Sequence, residues 1–362
     1  MNRRRFLQGS IFIGTSLAFE KLWAKQPRPT ENRDTFSTKV QVIDAHAHPD
    51  RYRHPGSTTD PSSSVNAIQG LGMAGSSFSA VGDTVYVSRG RMPGKEYDSA
   101  KTQLGWWLNG VIKTGKVKLV FKSSDIPETG SPEHLPGGFL AIEGGDPLQG
   151  KPERVDEFYE MGVRMITLVH YRNNEIGDIM KPWRNLSPGP SHGGLTPAGR
   201  KIVKWMEEVG MIIDVAHADS NTLKQIAEMS SKPLVDSHTN LCSLKDGTQC
   251  GRLRRWEEME VVARTGGVVC TWPLAYQGKQ EVRMTFLDWA REILEMKRHI
   301  GMEHVGLGTD GGGHLIRRVN GYRDVRDLPK LMKAMEEIGF PADEIAAYMG
   351  GNFLRVLRTC IG

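Results

Sequence analysis

From Lys39 onward, short runs rich in apolar and β-branched residues alternate with longer runs in which apolar residues recur every three or four positions. The first pattern suits strands buried on both faces, and the second suits amphipathic helices. Their alternation predicts βα units around a parallel sheet. The predicted strands cover residues 40–44, 84–88, 139–143, 164–170, 211–217, 233–238, 267–271 and 305–310. A further short run, residues 117–122, is expected as an excursion from the main sheet.

The helical runs carry recognisable boundaries. Thr196 and Pro197 supply an N-cap and a proline at the first helical position, ahead of Ile202, Val203, Trp205 and Met206. Further helices are predicted over 221–230, 255–265, 285–300, 328–338 and 342–357, with Gly210 and Gly301 placed where helices stop. Eight strands with interleaved helices predict an α/β fold, a (β/α)8 TIM-type barrel with its site at the C-terminal ends of the strands.

The N-terminus changes this picture only at its edge. Asn2-Arg3-Arg4-Arg5-Phe6-Leu7-Gln8 precedes a modestly apolar stretch, residues 11–19, too short to span a bilayer. It resembles a twin-arginine export signal; a general secretory signal with an arginine-rich start is the other reading. The expected organisation is a signal over 1–24, a polar linker over 25–38 and a barrel domain over 39–362. The mature protein is then expected outside the cytoplasm, in the periplasm, without a membrane span.

Charge adds little. The formal net charge is +5, yet the 47 basic residues are interleaved with 42 acidic ones, so no nucleic-acid partner is expected. The 4 cysteines are too few for a disulfide scaffold, although Cys242 with Cys250 is a candidate bridge in an oxidising compartment. A homodimer is an admissible assembly.

Chemistry enters where the polar residues meet the pattern. Predicted strands end at Asp44-Ala45-His46-Ala47-His48, Glu143-Gly144-Gly145, His217, His238 and Asp310. Barrel sites are built at that end, and residues two apart on a strand share a face, so His46 and His48 can address one ion. A set of imidazoles and carboxylates without thiolate suits Zn²⁺, with Mn²⁺, Co²⁺ or Fe²⁺ as alternatives. Six donors (His46, His48, Glu143, His217, His238, Asp310) exceed what one catalytic ion needs, so two divalent ions are expected, with Glu143 between them.

The motifs resemble the membrane dipeptidase (renal dipeptidase) family of zinc metallopeptidases, within the amidohydrolase superfamily. The most specific stretches are Gly194-Leu195-Thr196-Pro197-Ala198-Gly199, Gly210-Met211-Ile212-Ile213-Asp214-Val215-Ala216-His217 and Lys232-Pro233-Leu234-Val235-Asp236-Ser237-His238. Ile142-Glu143-Gly144-Gly145 and Gly350-Gly351-Asn352-Phe353-Leu354-Arg355-Val356 also match family segments. The resemblance implies that Glu143 bridges two zinc ions, that His46 and position 48 hold the first, and that His217 and His238 hold the second. It further implies Asp310 over the nucleophile, His170 as a substrate-contacting histidine and Arg252 as the carboxylate-binding arginine, with Arg254 and Arg255 adjacent to that assignment. One departure stands out: the family has an aspartate where this chain has His48.

The expected reaction is hydrolysis of a dipeptide or small amide by a hydroxide activated between the ions, with Asp310 moving the proton, His170 facing the oxyanion and Glu143 holding the metals. Two alternatives accompany it. One is a metal-dependent phosphodiesterase or deoxyribonuclease of the same superfamily, which the His46/His48 pair fits. The other is a non-hydrolytic, exported maturation factor on the same fold.

Overall fold

The computed structural model describes residues 40–51, 63–128, 133–182, 184–242, 251–277, 282–313, 315 and 317–362. The expected signal and linker lie outside the described residues, as does Cys250. Among the described residues there are strands β1 (Ile43–Asp44), β2 (Gly75–Val81), β3 (Lys118–Leu119), β4 (Gly137–Glu143), β5 (Val163–Thr167), β6 (Ile212–Asp214), β7 (Val235–Thr239), β8 (Val268–Thr271), β9 (Tyr276–Gln277), β10 (Val282–Arg283) and β11 (Val305–Leu307). Parallel pairing runs β1-β2-β4-β5-β6-β7-β8-β11, and β3 pairs with β4 outside that path, as the excursion predicted. β9 and β10 form a separate antiparallel ribbon.

The ring closes between its last strand and its first. The Ala45 amide donates to the Leu307 carbonyl at 3.0 Å, the Asp310 amide to His46 at 2.8 Å and the His48 amide to Gly311 at 2.7 Å. Asp44 adds a side-chain link, accepting from the Thr309 amide at 2.8 Å and the Thr309 hydroxyl at 2.5 Å. An α/β barrel of eight parallel strands results, as expected.

Alternation along the strands separates two apolar layers. Ile43, Phe139, Met165, Ile212, Val235 and Val268 pack in one cluster with Phe353, Leu354, Val356 and Leu357 of the terminal helix. Phe78, Leu140, Ile142, Ile166, Ile213 and Val269 belong to the larger cluster shared with the surrounding helices. Each such fully buried side chain contributes roughly 1.5–3 kcal/mol through removal from water. None of the described helices is long and apolar enough to cross a membrane.

The helix starts and stops follow from local chemistry. The Pro197–Val209 helix begins at Thr196, whose hydroxyl accepts from the Gly199 amide, and ends at Gly210 with φ 79°. Thr285 and Asp288 form a capping box before the Phe286–Ile300 helix, which Gly301 terminates. Helices at Ser220–Met229, Trp256–Arg264 and Leu328–Glu337 lie within a residue or so of their predicted spans.

Three expectations need correction. The predicted strand at 84–88 is absent: Thr84–Tyr86 is a 3-10 turn, and the second barrel strand is Gly75–Val81. That strand reads Gly-Ser-Ser-Phe-Ser-Ala-Val and is buried throughout; at its start β4 approaches closely, and a Cβ on Gly75 would lie 3.0 Å from the Gly137 carbonyl oxygen. Secondly, the strands predicted to reach His170, His217 and Asp310 stop three residues short, at Thr167, Asp214 and Leu307. His217 (φ 68°) and Asp310 (φ 49°) adopt left-handed backbone conformations that no strand ladder accommodates. Thirdly, the predicted helix 342–357 is broken into Ala342–Ala346, a π turn at Ala347–Gly351, and Asn352–Ile361. The break presses Gly350 against β1, where a Cβ would lie 2.1 Å from the Gln41 carbonyl oxygen.

Candidate metal centre

The C-terminal ends of six strands deliver the site. His46 and His48 follow β1, Glu143 ends β4, His170 follows β5, His217 follows β6, His238 lies in β7 and Asp310 follows β11. All seven are buried. Their donor atoms form three overlapping groups within 4.8 Å: His46, His48 and Asp310; His46, Glu143 and His238; Glu143, His170 and His217. The sequence-predicted donors are therefore brought together without exception, and His170 joins them.

Glu143 is the hub. Its Oε1 lies 3.3 Å from Nε2 of His170, of His217 and of His238, and 3.6 Å from Nε2 of His46. Its Oε2 lies 3.4 Å from Nε2 of His48, which is also 3.4 Å from Oδ1 of Asp310.

Partners on the far ring nitrogens set the tautomers. The Nδ1 of His48 donates to the Ser79 carbonyl at 2.5 Å. The Nδ1 of His238 lies 2.9 Å from the Ser237 hydroxyl, which donates to Asp214 at 2.6 Å and is 3.3 Å from Nδ1 of His46. A proton on each Nδ1 leaves the inward Nε2 with a lone pair, as ligation requires.

These lone pairs then face carboxylate oxygens and one another. Nε2 of His217 and Nε2 of His238 are 2.8 Å apart. Among the described residues, Nε2 of His46 and Nδ1 of His217 are buried and have no hydrogen-bond partner. Positive charge between the donors would stabilise such an arrangement, so the donor set fits divalent ions.

Electrostatics point the same way. Burial holds the His217 and His238 imidazoles below their usual range, hence neutral. Burial also opposes a charge on His48, but hydrogen bonds with Asp310 and Glu143 outweigh it and raise its pKa to about 9. Glu143 is held well below the usual carboxylate range: burial opposes ionisation, and His170 and His46 lead the groups that overcome it. Without an ion, the two carboxylates retain a proton on His48 where a cation would otherwise sit.

Sequence reasoning missed Asp83. It is fully buried two residues past β2, with Oδ1 2.9 Å from Nδ1 of His170 and Oδ2 accepting from the Tyr171 amide at 2.6 Å. Burial raises its pKa to about 8, and its contact with Nδ1 holds the His170 ring so that Nε2 faces inward. The signal was positional: Asp83 falls at a strand end once β2 is located correctly.

The three arginines separate cleanly. Arg254 is fully buried, donating to Asp236 at 2.6 Å and to the Ala218 and Val215 carbonyls at 2.6 and 2.5 Å, and so braces β6 and β7. Arg255 is exposed at the start of the Trp256–Arg264 helix. Arg252 is half-buried beside the centre, where its guanidinium donates to the His170 carbonyl at 2.9 Å and the Lys181 carbonyl at 3.3 Å. Cys242 is held in a disulfide, while Cys270 and Cys360 are free.

Known proteins match this arrangement at the level of fold and family. The probable dipeptidase PvdM from Pseudomonas aeruginosa superposes with a TM-score of 0.76 at 20% identity, covering 89% of this chain and 96% of that one. A metallopeptidase from Rhodobacter sphaeroides, liganded with a phosphinate mimic of the dipeptide L-Ala-D-Ala, gives a TM-score of 0.75 at 19% identity over 89% of this chain and 99% of that one. Among curated relatives, Dipeptidase aclJ of Aspergillus oryzae is 30% identical over 231 residues, 62% of this chain and 52% of its own length. An uncharacterised dipeptidase of Schizosaccharomyces pombe is 30% identical over 249 residues, 68% of this chain and 56% of its own. The chain thus spans about half the length of the curated relatives it matches. Residues 73–360 match the family model for membrane dipeptidases, peptidase family M19, and the chain belongs to that family.

Proposed function

We propose that this protein is an exported metallodipeptidase that uses two divalent ions, most simply zinc, to hydrolyse dipeptides or closely related small amides. The observation that carries the reading is the convergence of imidazole nitrogens on the single carboxylate of Glu143, with Asp310 across His48. His46, His48 and Asp310 would hold one ion, His217 and His238 the other, and Glu143 would bridge them. Bound there, the ions would supply an acidified water and a polarised scissile carbonyl.

The chain's own groups do the rest. Asp310 is ionised: burial opposes this, but the hydrogen bond from His48 holds its carboxyl below the usual range, so the carboxylate is free of its proton and placed to take one up and return it to the leaving amine. His170 presents Nε2–H toward the developing oxyanion, steadied from behind by Asp83. Arg252 pairs with the terminal carboxylate of the substrate and so favours very short peptides. The arginine-rich start, residues 1–24, supports export by the twin-arginine route.

Metal analysis of the purified protein, with turnover measured across L,L and L,D dipeptides, tests the reading. Glu143→Ala and Asp310→Ala should each lower turnover by roughly 100-fold or more while the circular-dichroism spectrum is preserved. Unchanged activity in either variant would overturn the assignment. The imidazole of His48 at the first ion position favours one second reading, phosphodiester hydrolysis, which cleavage of a synthetic duplex would support. Full metal loading without any turnover would point instead to a non-hydrolytic role in maturation.

A further inference from the structure

Beside the metal centre lies a cavity of about 1130 Å³, with Ala47, Tyr171 and Asp310 on the wall nearest the centre. Its volume lies at or above the roughly 300–1,000 Å³ typical of pockets for drug-sized ligands, so an unadorned dipeptide leaves much of it unfilled.

The lining is strongly cationic. Arg89, Arg184, Arg318 and Arg323 contribute to it, against Asp310 and Asp324 as acids. Asp310 belongs to the metal centre, and Asp324 is paired with Arg326 outside the cavity at 2.5 Å. Arg323 pairs with Asp327 at 3.2 Å. Arg89 and Arg318 form no ion pair with a carboxylate among the described residues; Arg318 donates to the Arg323 carbonyl at 3.1 Å. Arg252 is not part of this lining, so the cavity's positive charge is additional to the group assigned to the terminal carboxylate.

We propose that this cavity receives the N-terminal portion of the substrate and selects an acidic one, so that the preferred substrates carry a second carboxylate besides the terminal one. The inference rests on the dipeptidase reading and names its substrate class. Guanidinium groups bind carboxylates through paired, charge-assisted hydrogen bonds, whereas a neutral amide of the same shape leaves them short of partners. Because Arg89 and Arg318 are exposed, salt screens the attraction, and the preference weakens as ionic strength rises.

The test compares L-Glu-L-Ala with L-Gln-L-Ala, and the same pair with D-Ala, on the zinc-loaded full-length protein. The acidic member should show roughly tenfold higher kcat/KM at low salt, a ratio that shrinks with added salt. Arg318→Gln and Arg89→Gln should move the ratio toward one. Arg264→Gln, an exposed substitution in the Trp256–Arg264 helix away from the cavity lining, should leave it unchanged. Equal kcat/KM for the two peptides, or a ratio indifferent to Arg318→Gln, overturns the proposal while leaving dipeptidase activity intact. If neither peptide is cleaved, it is the dipeptidase reading that fails, and calorimetry with the same peptides decides the cavity. Tighter binding of L-Glu-L-Ala then supports it, and equal affinity overturns it.

Discussion

At the scale of single residues, the 2.9 Å contact between Asp83 and Nδ1 of His170 holds the imidazole by its outer nitrogen and turns Nε2 toward Glu143. Asp83→Ala should lower kcat by about 10–100-fold with little change in KM. Asp83→Asn, whose amide can still donate to Nδ1, should restore most of it, and a variant that stays inactive would show that the carboxyl acts otherwise. A pH signature accompanies this. The Asp83 pKa is raised from 3.8 to about 8 in the fold, so its contribution to stability is complete below pH 4 and disappears as pH rises through about 8. The melting temperature of ion-free Asp83→Asn should therefore gain on the parent between those limits. His48→Asp replaces an imidazole by a carboxylate at the first ion position and should tighten that ion by roughly tenfold in chelator competition. The candidate donors that the fold brings together were legible because each follows a run of apolar positions. The tautomers were not, since they depend on Ser79, Ser237 and Asp214, which ordinary hydroxyl, carbonyl and carboxylate groups in the sequence do not advertise.

At the scale of elements, legibility followed side-chain size. Helices with a cap and an apolar stripe, such as Pro197–Val209 and Phe286–Ile300, stood out. β2 did not, because it carries glycine and serine where β-branched residues would have announced a strand. The terminal helix shows the same effect. Its π turn exists because Gly350 lies against the backbone of Gln41 and Ile43, a contact that periodicity cannot report. Gly350→Ala should cost about 1–3 kcal/mol, read as a lower urea midpoint with an unchanged slope. A variant as stable as the parent would mean that the helix can move off β1 freely.

At the scale of the whole molecule, the barrel's seam and its metal centre share the same chain segments. His46 and Asp310 are hydrogen-bonded through their backbones at 2.8 Å, and Asp44 ties Thr309 across a separation of 265 residues. Removing the ions with a chelator should lower the melting temperature, and restoring zinc should recover it; about 100-fold excess over the dissociation constant corresponds to roughly 2.7 kcal/mol. An ion held jointly by His46, His48 and Asp310 would join the first strand to the last, acting as a buckle on a belt. The loop it fastens encloses nearly the whole barrel, so loading would hold the ring closed as well as complete the site. Ion-free protein should consequently loosen first along that seam, with the amides of Ala45, His48 and Asp310 exchanging hydrogen ahead of those in β4 and β5.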